Sequence, residues 1–569
     1  MRLRGLVLAM LMVAGAVAVS AAATVVPVAP QLRGEGIFLP NLDDDARRCR
    51  VDPAELDRPG VEVDARLAAC NDAADEEVNG ANDEADLTMI ELVGAPTGET
   101  VRVNATPAQY VRIFVRHGNG FRPILPGDGV ITAVEVRAGA EIAVEGRDII
   151  RDPARWDGRV TLSVVLGDRQ LDKELRVAPL LLQHDLMKAT KVFAGKPAPG
   201  LPPLPGSHPG EWGKFSAALN RATRAEGIET QYIAGTEPGW QDVWWQDVFE
   251  PAVASMPARH GVQAMRVIIR SANMWDLGVP TPRPLGRLLF RDLRGPDVAV
   301  VQELGDTAPV DLWVDQRGAT GNIEALPPYA GFPHGRIVYG SAPADSNRKP
   351  AAAFVGMLAG QGLQPPVVVD TSWLLVGHAD ETLHVVRADN ARGWTLMVAD
   401  PRSAERLLRQ AKDSGGGTAK LFEDTNATRK PSVDELLGDA KMLAGNETAA
   451  RNIDVQLSIM LAATGLTPGE LVRVPVLFEE SKRGPGFAAL TPGIPNGISL
   501  TAESFAAPDP HGPRVDGRDL FRVATEEALA RNRVRVHWVE DLYWAHFGGG
   551  EVHCVTNAWR DTSTVERWW

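Results

Sequence analysis

Between Glu99 and Leu181 apolar and polar residues alternate in short bursts. The runs VRVNA, YVRIFV, ITAVEVRA, EIAVEG, VTLSVVLG and KELRVAPL are rich in β-branched residues and are parted by Gly, Pro and Asn. A period of two turns one face of each strand toward a core, and short, evenly spaced strands of this kind predict an antiparallel, Ig-like β-sandwich. Nothing in these runs carries chemistry, so residues 93–181 are expected to form an accessory module.

From Leu182 to Trp569 two periods interleave. VQAMRVIIRS, DVAVVQEL, PPVVVD, LHVVRA, WTLMVAD and VRVHWVEDLYW read as strands. FSAALNRATRAEG, SAERLLRQAKDSG, NIDVQLSIMLAATG and LFRVATEEALARN instead place apolar residues at three- and four-residue steps, the period of an amphipathic helix. The mixture predicts an α+β multidomain chain, with residues 182–569 as one mixed region entered near a Pro/Gly-rich loop at Ala194–Gly210. EVHCV also reads as a strand. On that reading His553 and Cys554 face opposite ways, and His553 is structural.

The N-terminus breaks both patterns. Arg2 and Arg4 precede an apolar run, Gly5–Val19, and Ala21–Ala23 offers a small-residue cleavage site. This is the pattern of a signal peptide over residues 1–23, too short to span a bilayer, so the expectation is export with no membrane attachment afterwards. Residues 24–92 follow as an acidic segment. Asp43, Asp45, Asp75, Asn79, Asp83 and Asp86 are oxygen donors at short spacing around the Asn79-Gly80 turn, a composition suited to Ca²⁺ although not spaced as an EF-hand loop. A solvated acidic linker is the alternative.

The 569 residues exceed one ordinary core, which agrees with two or three domains. A formal net charge of −14 excludes the basic footprint of a nucleic-acid binder and weakly favours cationic partners. Export changes the meaning of the three cysteines: Cys49 and Cys70, 21 residues apart, are expected to form a disulfide. Cys554 is then left over, either an inert buried thiol or a nucleophile.

Three motifs in the mixed region bear on that choice: WWQDVFE at 244–250, WLLVGHADE at 373–381 and GGGEVHCVTN at 548–557. Alone, each is compatible with a buried structural role. In this order they resemble the protein-arginine deiminase family, as do GPDV at 295–298, GNIEALPP at 321–328, HGP at 511–513 followed by Gly517, and VAPL at 177–180. The resemblance covers roughly residues 176–569. It implies a catalytic domain built as a five-blade, pseudo-symmetric α/β propeller. It implies Cys554 as nucleophile, His378 as general acid and base, and Asp247 and Asp380 as the carboxylates that grip a guanidinium, with Trp244 packing on the arginine stem. A planar, permanently charged fork suits two carboxylates in a way that the point charge of a lysine does not.

The resemblance further implies calcium dependence, with Gln246, Glu250 and Glu324 and the carbonyls of Thr320 and Ile323 as ligands. A second family site is expected to be absent or degraded, because Val248 and Arg270 stand where acidic ligands belong. Gly548-Gly549 replaces the family's frequent Arg-His. The expected reaction is hydrolysis of arginine side chains in proteins or peptides to citrulline. The same residues would also suit free arginine or another small guanidino compound, and an inactive extracellular calcium-binding module is the alternative of another class.

Overall fold

The computed structural model describes residues 29–96, 98–197, 211–234, 242–305, 316–342, 349–563 and 567–569. The expected signal peptide lies outside them, as does most of the Pro/Gly-rich stretch.

The N-terminal part is two five-stranded sheets packed face to face. One runs in the order Gln31–Arg33, Thr88–Val93, Glu141–Gly146, Val111–His117, Gly120–Leu125, and the other Ile37–Phe38, Arg169–Val177, Arg159–Leu166, Val101–Thr106, Val130–Ile131. Strand Val101–Thr106 alternates buried and exposed along its whole length, and its inward Val101 and Val103 meet Ile113, Ile142 and Leu162 in the shared core. Two local readings differ from expectation. ITAVEVRA is strand only at its start; Thr132 and Glu135 then form a reciprocal capping box over the helix Ala133–Arg137, a Thr-x-x-Glu signature that overrides the β-branched composition. The boundary drawn between residues 92 and 93 falls inside strand Thr88–Val93. The acidic segment is thus a long excursion between strands of the sandwich. Cys49 and Cys70 are joined within it, their Cα atoms 5.8 Å apart.

The mixed region contains five small sheets of one pattern, an antiparallel hairpin followed by a strand parallel to its second arm. The first four are Phe249–Ala258, Gly261–Arg270 and Val298–Gln302; Ile323–Leu326, Arg336–Ser341 and Val367–Asp370; Leu383–Arg387, Trp394–Asp400 and Val472–Pro475; and Ile498–Thr501, Ser504–Pro508 and Arg535–Val539. The fifth is assembled from both ends of the region. Ala189–Lys196 pairs antiparallel with the late strand Thr556–Arg560 and parallel with Glu229–Ala234. Parallel neighbours need a crossover, commonly a helix, and Glu211–Ala225, Ala352–Gly360, Ala440–Thr464 and Leu520–Ala530 lie within the crossovers of four of the sheets. The motif turns all lie next to hairpin strands: residues 245–247 before Phe249, 379–381 before Leu383, and 552–555 before Thr556. No helix among the described residues is long and apolar enough to cross a membrane.

The acidic segment also docks on the mixed region. Leu56, Val63 and Leu67 share a core with Phe249, Leu288 and Leu289.

Candidate active site

Trp245–Asp247 is a single 3-10 turn leading into the strand Phe249–Ala258. The Gln246 N–H donates to the carbonyl of Cys554 at 3.2 Å, and the Asn557 side-chain amide donates to the carbonyl of Phe249 at 2.6 Å. Two motifs 300 residues apart in sequence are therefore locked together through their backbones.

The HADE motif forms another 3-10 turn. Glu381 accepts the N–H groups of Gly377 and His378 at 2.8 and 2.9 Å, so the last residue of the motif is spent on holding the turn. Gly377 adopts φ +89° and abuts the Arg317 guanidinium, leaving no room for a side chain. His378 Nε2 lies 2.7 Å from the carbonyl of Gln316. A carbonyl only accepts, so Nε2 carries a proton, and in its neutral form the ring presents Nδ1 as an acceptor. That atom lies 3.7 Å from Asp247 Oδ1.

Residues 552–555 form a turn, and the strand begins at Thr556. This corrects the strand reading of EVHCV. His553 and Cys554 are not on opposite faces: both approach Asp380 Oδ2, His553 Nδ1 at 2.8 Å and Cys554 Sγ at 3.8 Å. The Asn496 amide donates to the same oxygen at 2.6 Å.

The result is a buried constellation with its open valences pointing inward. Asp247 Oδ1, His378 Nδ1 and Asp380 Oδ1 are all buried with no hydrogen-bond partner, and Cys554 is the free cysteine beside them. Burial raises the Asp247 carboxyl, with Arg283 and His378 pulling it back down. Burial, followed by the charges of Asp380 and Asp247, pushes the Cys554 thiol well above its usual range. A cation entering between the two aspartates would reverse the second of those effects.

Three contributors, Arg283, Asn496 and Gly321, were not singled out from the sequence. Arg283 spans Asp242, which it grips at 2.6 and 2.8 Å, and Asp247 Oδ2 at 3.2 Å. His553 and Asn496 orient Asp380. Gly321 lies so close that a Cβ there would meet Asp247 Oδ1 at 2.3 Å and His378 Nδ1 at 3.0 Å. GNIEA was noted as a motif, but only the local packing explains its glycine.

The glycine-rich lead-in has a similar reason. A Cβ on Gly550 would meet the Trp244 ring at 2.7 Å and Cys554 Cβ and Sγ at 2.9 Å each. Gly550→Ala is expected to lower the kcat/KM of a reaction at this thiol roughly 100-fold by displacing the sulfur about an ångström. Steady-state kinetics check this, and an unaltered value refutes the contact.

Beside the aspartates, Gln246, Glu250, Glu324, Asp185 and His553 line a cavity of about 20 Å³. Gln246 Nε2 donates to Glu250 Oε2 at 3.1 Å, and Glu324 Oε1 is buried without a hydrogen-bond partner, 4.0 Å from His553 Nε2. Burial and neighbouring carboxylates, Asp185 foremost, drive both glutamates well above the ordinary range. An orphaned carboxylate oxygen in a polar cavity of this size fits a hard cation. Ile323 adjoins Glu324 and Thr320 precedes it by four residues, but neither lines this cavity. The Thr320 carbonyl accepts the Ile323 N–H, and the Thr320 hydroxyl donates to the Gln246 carbonyl at 2.7 Å.

A second acidic centre lies in the excursion. Asp43, Asp45 and Asp72 offer oxygens within 4.8 Å of one another. Oxygens of Asp43, Asp45 and Asp86 are buried without partners. Burial, then Asp86, Asp45 and Asp72, pushes Asp43 up to about 10; burial, then Asp72 and Asp297, pushes Asp45 to about 6. Asp297, from GPDV, donates its N–H to Asp43 at 2.9 Å and joins the two parts of the molecule here. Asp83 instead accepts from Asn41 at 2.9 Å and from the Asn79 backbone at 2.6 Å. Asp75 pairs with Arg48, and the Asn79 amide turns to Glu77.

Val248 is packed in the apolar core, and at Arg270 the structure places a protein cation. Arg270 Nη1 donates to Asp64 at 2.6 Å and to Gln302 at 2.8 Å, and Arg287 grips the same aspartate at 2.6 and 3.0 Å. All three charged side chains are buried. Asp64→Ala leaves two guanidinium groups buried without their shared counterion and is expected to cost about 3–5 kcal/mol. The urea midpoint reads it; a shift below that of an ordinary surface substitution refutes the triad's role.

Residues 171–569 match the family model described as Protein-arginine deiminase (PAD). The chain is 26% identical over 345 residues to protein-arginine deiminase type-4 of Homo sapiens and 30% identical over 348 residues to the type-4 protein of Mus musculus; each match covers 59% of this chain and 49% of the relative. The chain thus spans about half the length of these curated relatives. Among solved structures, the agmatine deiminase of C. jejuni aligns with a TM-score of 0.38 at 10% identity, covering 67% of this chain and 96% of that one.

Proposed function

Because the chain belongs to the protein-arginine deiminase family, we propose that it hydrolyses arginine side chains of proteins or peptides to citrulline and ammonia, with Ca²⁺ as its cofactor. The observation that carries this reading is the convergence of three unpartnered buried acceptors, Asp247 Oδ1, His378 Nδ1 and Asp380 Oδ1, around the free thiol of Cys554. A guanidinium supplies up to five N–H donors in a plane and a positive charge, and so matches what this pocket lacks.

Asp247 and Asp380 hold the guanidinium, and Trp244 packs on its methylene stem. The bound cation lowers the pKa of Cys554, whose sulfur attacks the guanidinium carbon. His378 Nδ1 takes the thiol proton and passes it to the departing nitrogen as ammonia leaves. It then takes a proton from the water that attacks the thiouronium carbon, and the C–S bond breaks to release citrulline and the thiol. Asn496 and His553 keep Asp380 oriented through both steps.

Gln246, Glu250 and Glu324 would hold one Ca²⁺, and Asp43, Asp45, Asp72, Asp86 and Asp297 would hold others. The charge of a bound ion offsets the repulsion among these carboxylates and steadies the turn that carries Asp247. The five sheets are read as the blades of a propeller around the site. The N-terminal apolar run and the Cys49–Cys70 bond support an exported protein.

The test is incubation with Ca²⁺ and an arginine peptide, with citrulline read by mass. Turnover of free arginine but of no peptide would move the substrate to the small-molecule class. Turnover of neither would leave only a binding role.

A further inference from the structure

A groove of about 500 Å³ opens next to the pocket that contains Cys554. The two share Leu375, Ala488, Ala489, His546 and Gly549 as a common wall. Gly549 stands in the left-handed region at φ +107°, and a Cβ there would sit 3.4 Å from Arg483 Nη1. The absence of a side chain at Gly549 therefore keeps the passage between groove and thiol low.

The groove has an apolar floor, including Phe422, Leu490, Tyr543 and Phe547, and a cationic rim of Arg429, Lys482 and Arg483. Arg429 is answered by Glu479 at 3.5 Å. Arg483 donates to the carbonyl of Phe547, a neutral group that leaves its charge uncancelled. Among the described residues no carboxylate pairs with Lys482 or Arg483. An uncompensated pair of cations beside a carboxylate-lined pocket, on a chain of net charge −14, is a local reversal of sign. Clefts lined by one sign of charge concentrate ligands of the other.

We propose that this groove is a subsite for the polypeptide that flanks the target arginine, and that Lys482 and Arg483 select a carboxylate there. The inference rests on the deiminase reading above and adds a substrate class to it: arginine followed or preceded by acidic residues, with an apolar neighbour on the floor. The volume is that of an ordinary ligand cleft and exceeds what an arginine side chain needs. The sign is diagnostic, because Asp247, Asp380 and the negative chain as a whole would by themselves favour basic flanks.

The experiment compares kcat/KM for otherwise identical peptides bearing Asp, Ala or Lys on one side of the arginine, then on the other, with a blocked arginine amide as reference. Two exposed ion pairs at their usual strength predict a preference for Asp over Lys of roughly tenfold on one side. Lys482→Glu is expected to erode that order, and Lys482→Glu with Arg483→Glu to reverse it. Free-acid and amidated forms of an alanine peptide ending just after the arginine show whether the carboxylate is a side chain or the chain terminus. Equal values for the Asp, Ala and Lys peptides, with the amide turned over, overturn the subsite and leave the deiminase reading standing. An acidic preference that survives the double substitution also overturns the assignment. No citrulline from the amide or any peptide overturns both.

Discussion

Cys554→Ala is expected to abolish citrulline formation, by about four orders of magnitude or more, while leaving the fold unchanged. Removing a nucleophile from a set that acts as a unit costs nearly all of the catalysis that the set supplies. Three structural facts make the expectation sharp. The thiol is the described cysteine left free when Cys49 and Cys70 pair. It lies 3.8 Å from Asp380 Oδ2, and Gly550 packs against both it and the Trp244 ring. Its backbone carbonyl takes the Gln246 N–H, a contact that alanine preserves. Loss of the sulfur therefore removes chemistry without removing the tether between motifs. Citrulline at the wild-type rate from the alanine variant, by mass spectrometry on a defined peptide, would sink the covalent mechanism. Intact unfolding behaviour of the same sample excludes collapse as the cause of a loss.

The second large effect concerns the metal. Thorough chelation of calcium is expected to lower kcat/KM at least about a hundredfold, with recovery when calcium is returned. Gln246 precedes Asp247 in the same turn, and Glu250 follows in the strand that the turn enters. Without a cation, Glu250 and Glu324 lie buried and are forced toward their protonated forms. The turn then loses the charge that the cavity is built around. A shift of an ångström in a group that must grip a planar substrate costs about 100-fold. Glu324→Ala, which removes the unpartnered oxygen, is expected to raise the calcium needed for half-maximal activity. Full activity after chelation, with calcium-free buffer verified, contradicts this role for Gln246, Glu250 and Glu324.

The two parts of the chain were legible to different degrees. In the sandwich, VRVNA could be assigned residue by residue, because every inward side chain is apolar and every outward one polar. ITAVEVRA was misread because a Thr-x-x-Glu cap decides its conformation while its β-branched content suggests otherwise. At the site, the nucleophile, the histidine and both aspartates stand in recognisable strings. His553 was read wrongly since the strand period was carried into a turn, where adjacent side chains can share a target. Arg283 and Asn496 carry no local signal at all, and Gly321 carries only that of its motif, with nothing to show its crowding. Arg283 is 36 residues from Asp247 and Asn496 is 116 from Asp380, so only folding defines their roles. Arg270 is visible in VIIRSAN as a cation, but its partner, Asp64, lies 206 residues away in the acidic excursion.

By itself the sequence determined which side chains this protein can bring to bear: one unpaired thiol, a histidine, paired carboxylates and an excess of acidic oxygens, strung on segments whose periods set strand and helix. Those properties are local, since residue type and the next few neighbours control them. Tertiary structure alone decided which atoms are left without partners, which glycines are too crowded for a Cβ, and which charges are answered by Arg283, Arg270 or Arg287. Those properties depend on segments hundreds of residues apart meeting within a few ångströms, where burial makes an unanswered charge or an extra methyl group costly.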